Sequence, residues 1–200
     1  PCPEIFTLFR LVIRARRGEK HAAMKRIRRR GLPFLLCLPL AALAANPAFE
    51  GRWRLDPAPS TALDGWTAMD LVVQLDGPRI SLRHEMAWRA TRVTATNVVS
   101  TAGPVEVADF FRIDQRHMAV YRAPKKTTRA TAGWVDAERT LRLEAFVPVE
   151  ISQGEAAMRI YSEYRLLEGD ATLLLIELHH TRSRPLVYRF TKVPAEAAKK

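Results

Sequence analysis

Cysteine is scarce in this 200-residue chain: there are two, Cys2 and Cys37, and both lie within the first forty-five residues. Residues 46–200 therefore form no disulfide and offer no thiolate ligand, which excludes zinc fingers, thiol catalysis and disulfide-stapled scaffolds for that part of the chain. A Gly-x-Ser-x-Gly elbow and a Gly-rich phosphate loop are also missing. No segment keeps a sustained 3.6-residue apolar period, so a helical fold is not indicated. Acidic residues are short only at one end. The whole chain has 32 Lys+Arg against 21 Asp+Glu, but residues 1–45 hold ten basic and two acidic ones, leaving 22 and 19 for the remainder. The basic excess belongs mostly to the leader and is a poor argument for nucleic-acid binding.

That leader has three parts. Lys25-Arg26-Ile27-Arg28-Arg29-Arg30 follows Met24 as a basic stretch. Gly31 to Leu43 is apolar and too short to span ~30 Å of hydrocarbon as a helix. Ala42-Leu43-Ala44 is a small-x-small cleavage signal. This is the layout of a secretory signal peptide, cut near Ala44 or Ala45, and it gives a periplasmic or secreted address. Residues 1–23 read as upstream sequence or a disordered segment, 24–45 as the signal, 46–193 as one domain and 194–200 as a polar tail.

Period-2 alternation runs through the domain. It is seen in Phe49-x-Gly51-x-Trp53-x-Leu55, Met69-x-Leu71-x-Val73-x-Leu75, Ile80-x-Leu82-x-His84-x-Met86-x-Trp88, Leu141-x-Leu143-x-Ala145-x-Val147, Met158-x-Ile160-x-Ser162-x-Tyr164-x-Leu166, Leu174-x-Ile176-x-Leu178-x-His180 and Leu186-x-Tyr188-x-Phe190. Eight to ten strands joined by tight turns such as Asp76-Gly77 predict an all-β antiparallel meander closed into a barrel, which removes exposed edges. Ser60 to Met69 has room for one helical turn capped by Ser60.

Phe49-Glu50-Gly51-Arg52-Trp53-Arg54-Leu55-Asp56-Pro57-Ala58-Pro59-Ser60 resembles the opening strand of bacterial secreted lipocalin-like proteins, with Pro59 where Lys is usual. Ala132-Gly133-Trp134-Val135-Asp136 and the final hairpins from Tyr161 to Val193 are also similar to that family. The resemblance implies a calycin-type barrel in which Gly51 and Trp53 form a structural motif at one end. It also implies a late-strand arginine, Arg189 or Arg184, packed on Trp53 by a cation–π contact.

Few polar side chains fall on the inward parity. His84, Ser162, Tyr164 and His180 do, together with Trp88, and these are the candidate ligand-binding residues. His84 and His180 offer no third ligand, so no metal site is expected. Glu177 and His179 share the face opposite Leu174, Ile176 and Leu178, and so read as solvent-facing. Ser162 with His180 is the one nucleophile–base pairing to consider. Glu85, Glu144 and Glu163 alternate with Arg83, Arg142 and Arg165 as outward cross-strand charge pairs rather than catalytic acids. Arg122, Lys125, Lys126 and Arg129 read as a solvated loop, with Tyr121 the only nearby aromatic for stacking.

The reading is an exported, non-enzymatic barrel without a cofactor, touching the membrane only through its signal. It binds a small apolar or amphipathic ligand, or serves a structural role in the cell envelope. A small outer-membrane barrel is the alternative, and an enzyme with an unrecognised site comes third. Trp88, Tyr164 and Phe190 decide whether the lumen is open: if they all point inward, it closes.

Overall fold

The computed structural model describes residues 45–63, 65–113, 121–123 and 125–194. The signal segment, the Asp114-Gln115 turn, the Met118-x-Val120 stretch and most of the polar tail lie outside the described residues. Eleven strands follow in chain order: β1 (Gly51–Asp56), β2 (Ala68–Asp76), β3 (Arg79–Trp88), β4 (Thr91–Ser100), β5 (Val105–Ala108), β6 (Tyr121–Arg122), β7 (Thr127–Val135), β8 (Thr140–Ile151), β9 (Gly154–Leu166), β10 (Thr172–His179) and β11 (Leu186–Lys192). Ten of them form one path, β4-β3-β2-β1-β11-β10-β9-β8-β7-β5, and the two-residue β6 lies beside β8. β1 pairs with β11, so first and last strands meet and the antiparallel meander becomes a nearly closed barrel.

The seam falls between β4 and β5, which are the two ends of the path. Asn97 of β4, almost fully buried, bridges it with a side chain in place of a ladder. Its Nδ2 donates to the Phe111 carbonyl (2.8 Å), and its Oδ1 accepts from the Phe111 amide (2.7 Å). Both backbone groups of one residue are satisfied as a strand partner would satisfy them.

Alternation sets the core. Trp53 and Leu55, Met69, Leu71 and Val73, Ile80, Leu82 and Met86, Leu141 to Val149 at every second position, and Tyr188 with Phe190 are buried. Outward positions carry charge pairs, but Arg83–Glu85 and Glu163–Arg165 lie within one strand rather than across two, and the partner of Glu144 is Arg159 rather than Arg142. Arg52 reaches Asp70 (2.8 Å) and Glu85 (2.6 Å), Arg83 reaches Glu85 (3.0 Å), Glu144 pairs with Arg159 and Glu163 with Arg165. Lys125, Lys126 and Arg129 are exposed, and Lys126 pairs with Glu155.

One end of the barrel is closed by aromatics. Trp53 is fully buried and donates from Nε1 to the Phe49 carbonyl (2.8 Å). Phe49 packs edge-on against Trp134 at 4.9 Å. The cation over Trp53 is not an arginine. Lys192 lies 5.0 Å from the ring centroid and donates to the Ala48 carbonyl. The register explains the difference: Tyr188 and Phe190 take the inward positions of β11, so Arg189 points outward, whereas Lys192 pairs directly with Trp53. Arg184 precedes β11 and is exposed at the far end of that strand. Gly51 has φ +121, and a Cβ there would sit 3.6 Å from Cε of Lys192, so glycine lets the strand turn beneath the lysine stem.

Two expectations fail for local reasons. No helical turn follows Ser60 among the described residues. Instead the hydroxyls of Ser60 and Thr61 accept from the Arg189 and Val187 amides (2.9 Å each), prolonging the pairing of β11 beyond β1. The parity of β10 is also inverted. Leu173, Leu175, Glu177 and His179 face inward, while Leu174 and Ile176 are half-buried on the outer face and Leu178 and His180 are exposed. Leu173 to Ile176 is an unbroken apolar run, so alternation there fits either face, and a one-residue slip exchanges every side chain.

Candidate polar pocket inside the barrel

β3, β4, β9 and β10 bring His84, Asn97, Ser162, Tyr164 and Glu177 around one small internal cavity. Cross-strand pairing explains the meeting. Ser162 of β9 is opposite Glu177 of β10, and Tyr164 is opposite Leu175. The free volume is about 10 Å³, room for roughly one water molecule. Phe110, Phe111, Arg112 and Ile113, the coil after β5, form one wall. Phe110 and Ile113 are buried, and the Phe111 ring lies 4.8 Å from His84. β5 ends beside the start of β7, so this coil closes the barrel on the side away from Trp53.

The polar groups form a chain. The Ser162 hydroxyl donates to Oε2 of Glu177 (3.2 Å), and Oε1 of Glu177 meets Nε2 of His179 at 2.6 Å. All three residues are buried. His84 is 5% exposed, and its Nδ1 has no partner of normal hydrogen-bond geometry among the described residues. Burial pushes its pKa down to about 4, opposed by the Glu177 charge and the Leu82 backbone, so the ring is neutral at pH 7. Burial, followed by the Glu177 charge, holds the Tyr164 hydroxyl well above its ordinary value.

Of the residues expected in the site, His84, Ser162 and Tyr164 line this cavity. His180 does not. It is exposed in the turn after β10, where its Nδ1 accepts from the Arg159 amide (2.9 Å), so no Ser162–His180 pair forms. Trp88 keeps the inward parity of β3 but ends the strand at the rim, 38% exposed, with the Arg89 guanidinium 4.9 Å from its ring. Tyr164 and Phe190 point inward as Trp88 does not, and the lumen is filled down to the small cavity. Glu177, His179 and Asn97 are the residues that parity missed. The other reading of the Leu173–Ile176 run would have carried Glu177 and His179 inside. No metal-binding cluster of three or more groups occurs among the described residues.

A larger hollow of about 900 Å³ lies outside the Trp53 end, between the β2–β3 turn and Trp134. It is an open surface groove lined by groups such as Leu75, Pro78, Ala102 and Gly133, and no buried polar residue faces it.

No family model matches the chain, and no curated protein matches it. Solved barrels do. A mutant of the REP1-NXSQ fatty acid transporter aligns over 74% of this chain and 100% of its own, with a TM-score of 0.44 and 10% identity. Secretory abundant heat soluble protein 4 from Ramazzottius varieornatus aligns over 75% and 98%, with a TM-score of 0.43 and 7% identity. The sequential meander and the pairing of first strand with last make the described domain a nearly closed antiparallel β-barrel, with Trp53 plugging one end.

Proposed function

We propose that this chain is an exported, non-enzymatic binding barrel, and that a small amphipathic molecule enters at the end away from Trp53 by displacing Phe110–Ile113. One observation carries the reading: polar side chains converge on a cavity inside an otherwise apolar core, and one of them, His84, keeps a buried nitrogen without a partner of normal hydrogen-bond geometry among the described residues. An unpaired buried polar group costs roughly 1–3 kcal/mol, a burden that a barrel selected for stability alone would not carry. An apolar site with a few converging polar groups is the ordinary form of a small-molecule pocket. In this conformation Phe110 and Ile113 occupy the space that an apolar tail requires, and the coil is not part of the sheet. Ser162 donates to a carboxylate rather than to a histidine base, which speaks against nucleophilic chemistry there. Ion pairs on the outer faces of β1 to β3 speak against an outer-membrane barrel, whose outside must be an apolar band. The address rests on the basic stretch, apolar run and Ala42-Leu43-Ala44 signal. N-terminal sequencing of protein from fractionated cells is expected to begin at Ala45 or Asn46.

The direct test is hydrogen exchange with and without octanol as an uncharged amphipathic probe. Octanol is expected to bind and to speed exchange of the Phe111 amide, which now donates to Asn97. Binding with no change at residues 110–113 contradicts the entry route. No binding at all favours the second reading, for which the filled lumen speaks: a barrel with a structural role in the envelope.

A further inference from the structure

We propose that the pocket selects a primary ammonium head group, seated between Glu177 and His84, over a carboxylate of the same tail length. This rests on the pocket being a binding site. The first argument is size. The cavity holds about one water, which matches a single –NH₃⁺ group but not the three heavy atoms of a carboxylate.

The second is the chemistry of the wall. Oε2 of Glu177 already accepts from Ser162 at a long 3.2 Å, and Oε1 is held by His179. A carboxylate has about four lone-pair sites, so acceptor capacity remains toward the cavity. His84 adds a buried Nδ1 without a partner of normal hydrogen-bond geometry among the described residues, and a neutral imidazole keeps one ring nitrogen as an acceptor. The Asn97 amide is engaged at both ends by the Phe111 backbone. The inner wall therefore has acceptors to fill, and an ammonium offers three donors. A ligand carboxylate would instead bring like charge to Glu177 inside a space with little water to screen it. Arg112 is the one cationic side chain among the described wall residues, and it sits on the coil that a ligand tail must move.

Isothermal titration of the full chain at pH 7 with octylamine, octanol and octanoate tests this, because the three share one tail. Octylamine is expected to bind at least tenfold tighter than octanoate, with octanol between them. Glu177→Gln should bring the three within about threefold of one another. His84→Leu should weaken octylamine more than octanol. Octanoate binding equally or more tightly overturns the ammonium preference and leaves the pocket standing, with Arg112 as its selector. A preference that survives Glu177→Gln also overturns it, by moving the source of selection away from this carboxylate. No binding by any of the three overturns this proposal and the pocket reading together. If either variant fails to fold, the ranking on the unaltered chain still decides.

Discussion

The two ends of the barrel are closed by different means. At the Trp53 end the polar groups of the plug are paired: the indole N–H with the Phe49 carbonyl, the lysine ammonium with the Ala48 carbonyl and the ring face. At the other end a coil covers a cavity that His84, Ser162, Tyr164 and Glu177 line, held to the seam by one asparagine. The first arrangement gains from dry burial and complete pairing, which lock one conformation. The second buries polarity and covers it with a segment outside the sheet, the kind of segment that opens locally more readily than paired strands. On the proposed reading, stability and binding fall to opposite mouths of one sheet.

The sharpest way to break this comparison is Trp53→Ala. Removing a fully buried tryptophan typically costs ~3–5 kcal/mol. The expectation is a large fall in the thermal or denaturant midpoint, with octanol binding by the residual folded protein little changed. Unaltered melting would mean that the aromatic plug contributes nothing to the fold, and the assignment of stability to this end would be wrong.

How far the sequence reveals each end differs in the same way. Trp53 was legible because Phe49-x-Gly51-x-Trp53-x-Leu55 alternates cleanly, leaving one register for the strand. The pocket was half legible. Ser162 and Tyr164 lie in a strand where Arg159, Glu163 and Arg165 mark the outer face, and His84 lies between Arg83 and Glu85. Glu177 and His179 were hidden because β10 is apolar on both faces, so hydrophobicity could not fix its parity. The resemblance points to an arginine over Trp53, whereas the strand register, which alternation alone does not fix, sets Lys192 opposite it. Asn97 gave no signal at all. It is one polar residue in a polar, β-branched strand, and its importance comes from a partner fourteen residues away in the sequence.

A second test sharpens the contrast by pH. The folded pKa of His84 is about 4 and its ordinary value is 6.5. Between those values the unfolded chain binds the proton and the folded barrel does not, so stability falls as pH drops from 6.5 toward 4. Full development of that shift is worth about 3 kcal/mol. Asp70 and Glu163 are held below their ordinary values of 3.8 and 4.5, so their own loss begins as pH falls past those values, and that of Glu163 overlaps the acid end of this window. In His84→Leu the slope between pH 6.5 and 4 is expected to flatten, and stability at pH 7 to hold or rise, since the unpaired nitrogen is gone. Denaturant unfolding at half-unit pH steps measures it. An unchanged slope in the variant assigns the titration to another group.

The smallest effect is expected at the seam, from Asn97→Ala. The substitution leaves the Phe111 amide and carbonyl without their partners, and an unmet buried hydrogen bond costs ~1–3 kcal/mol. The coil can shift toward water and recover part of that, so the global loss should lie near the lower bound, about 1 kcal/mol. The local effect should be larger than the global one. Exchange of the Phe111 amide is expected to become fast, while amides in β1 and β11 around Trp53 keep their protection. Octanol should associate faster, because the coil that it displaces is no longer pinned. If the Phe111 amide keeps its protection without Asn97, then burial of Phe110 and Ile113 holds the coil by itself. The far mouth would then be a packed plug like the one at Trp53, and the difference between the two ends would disappear.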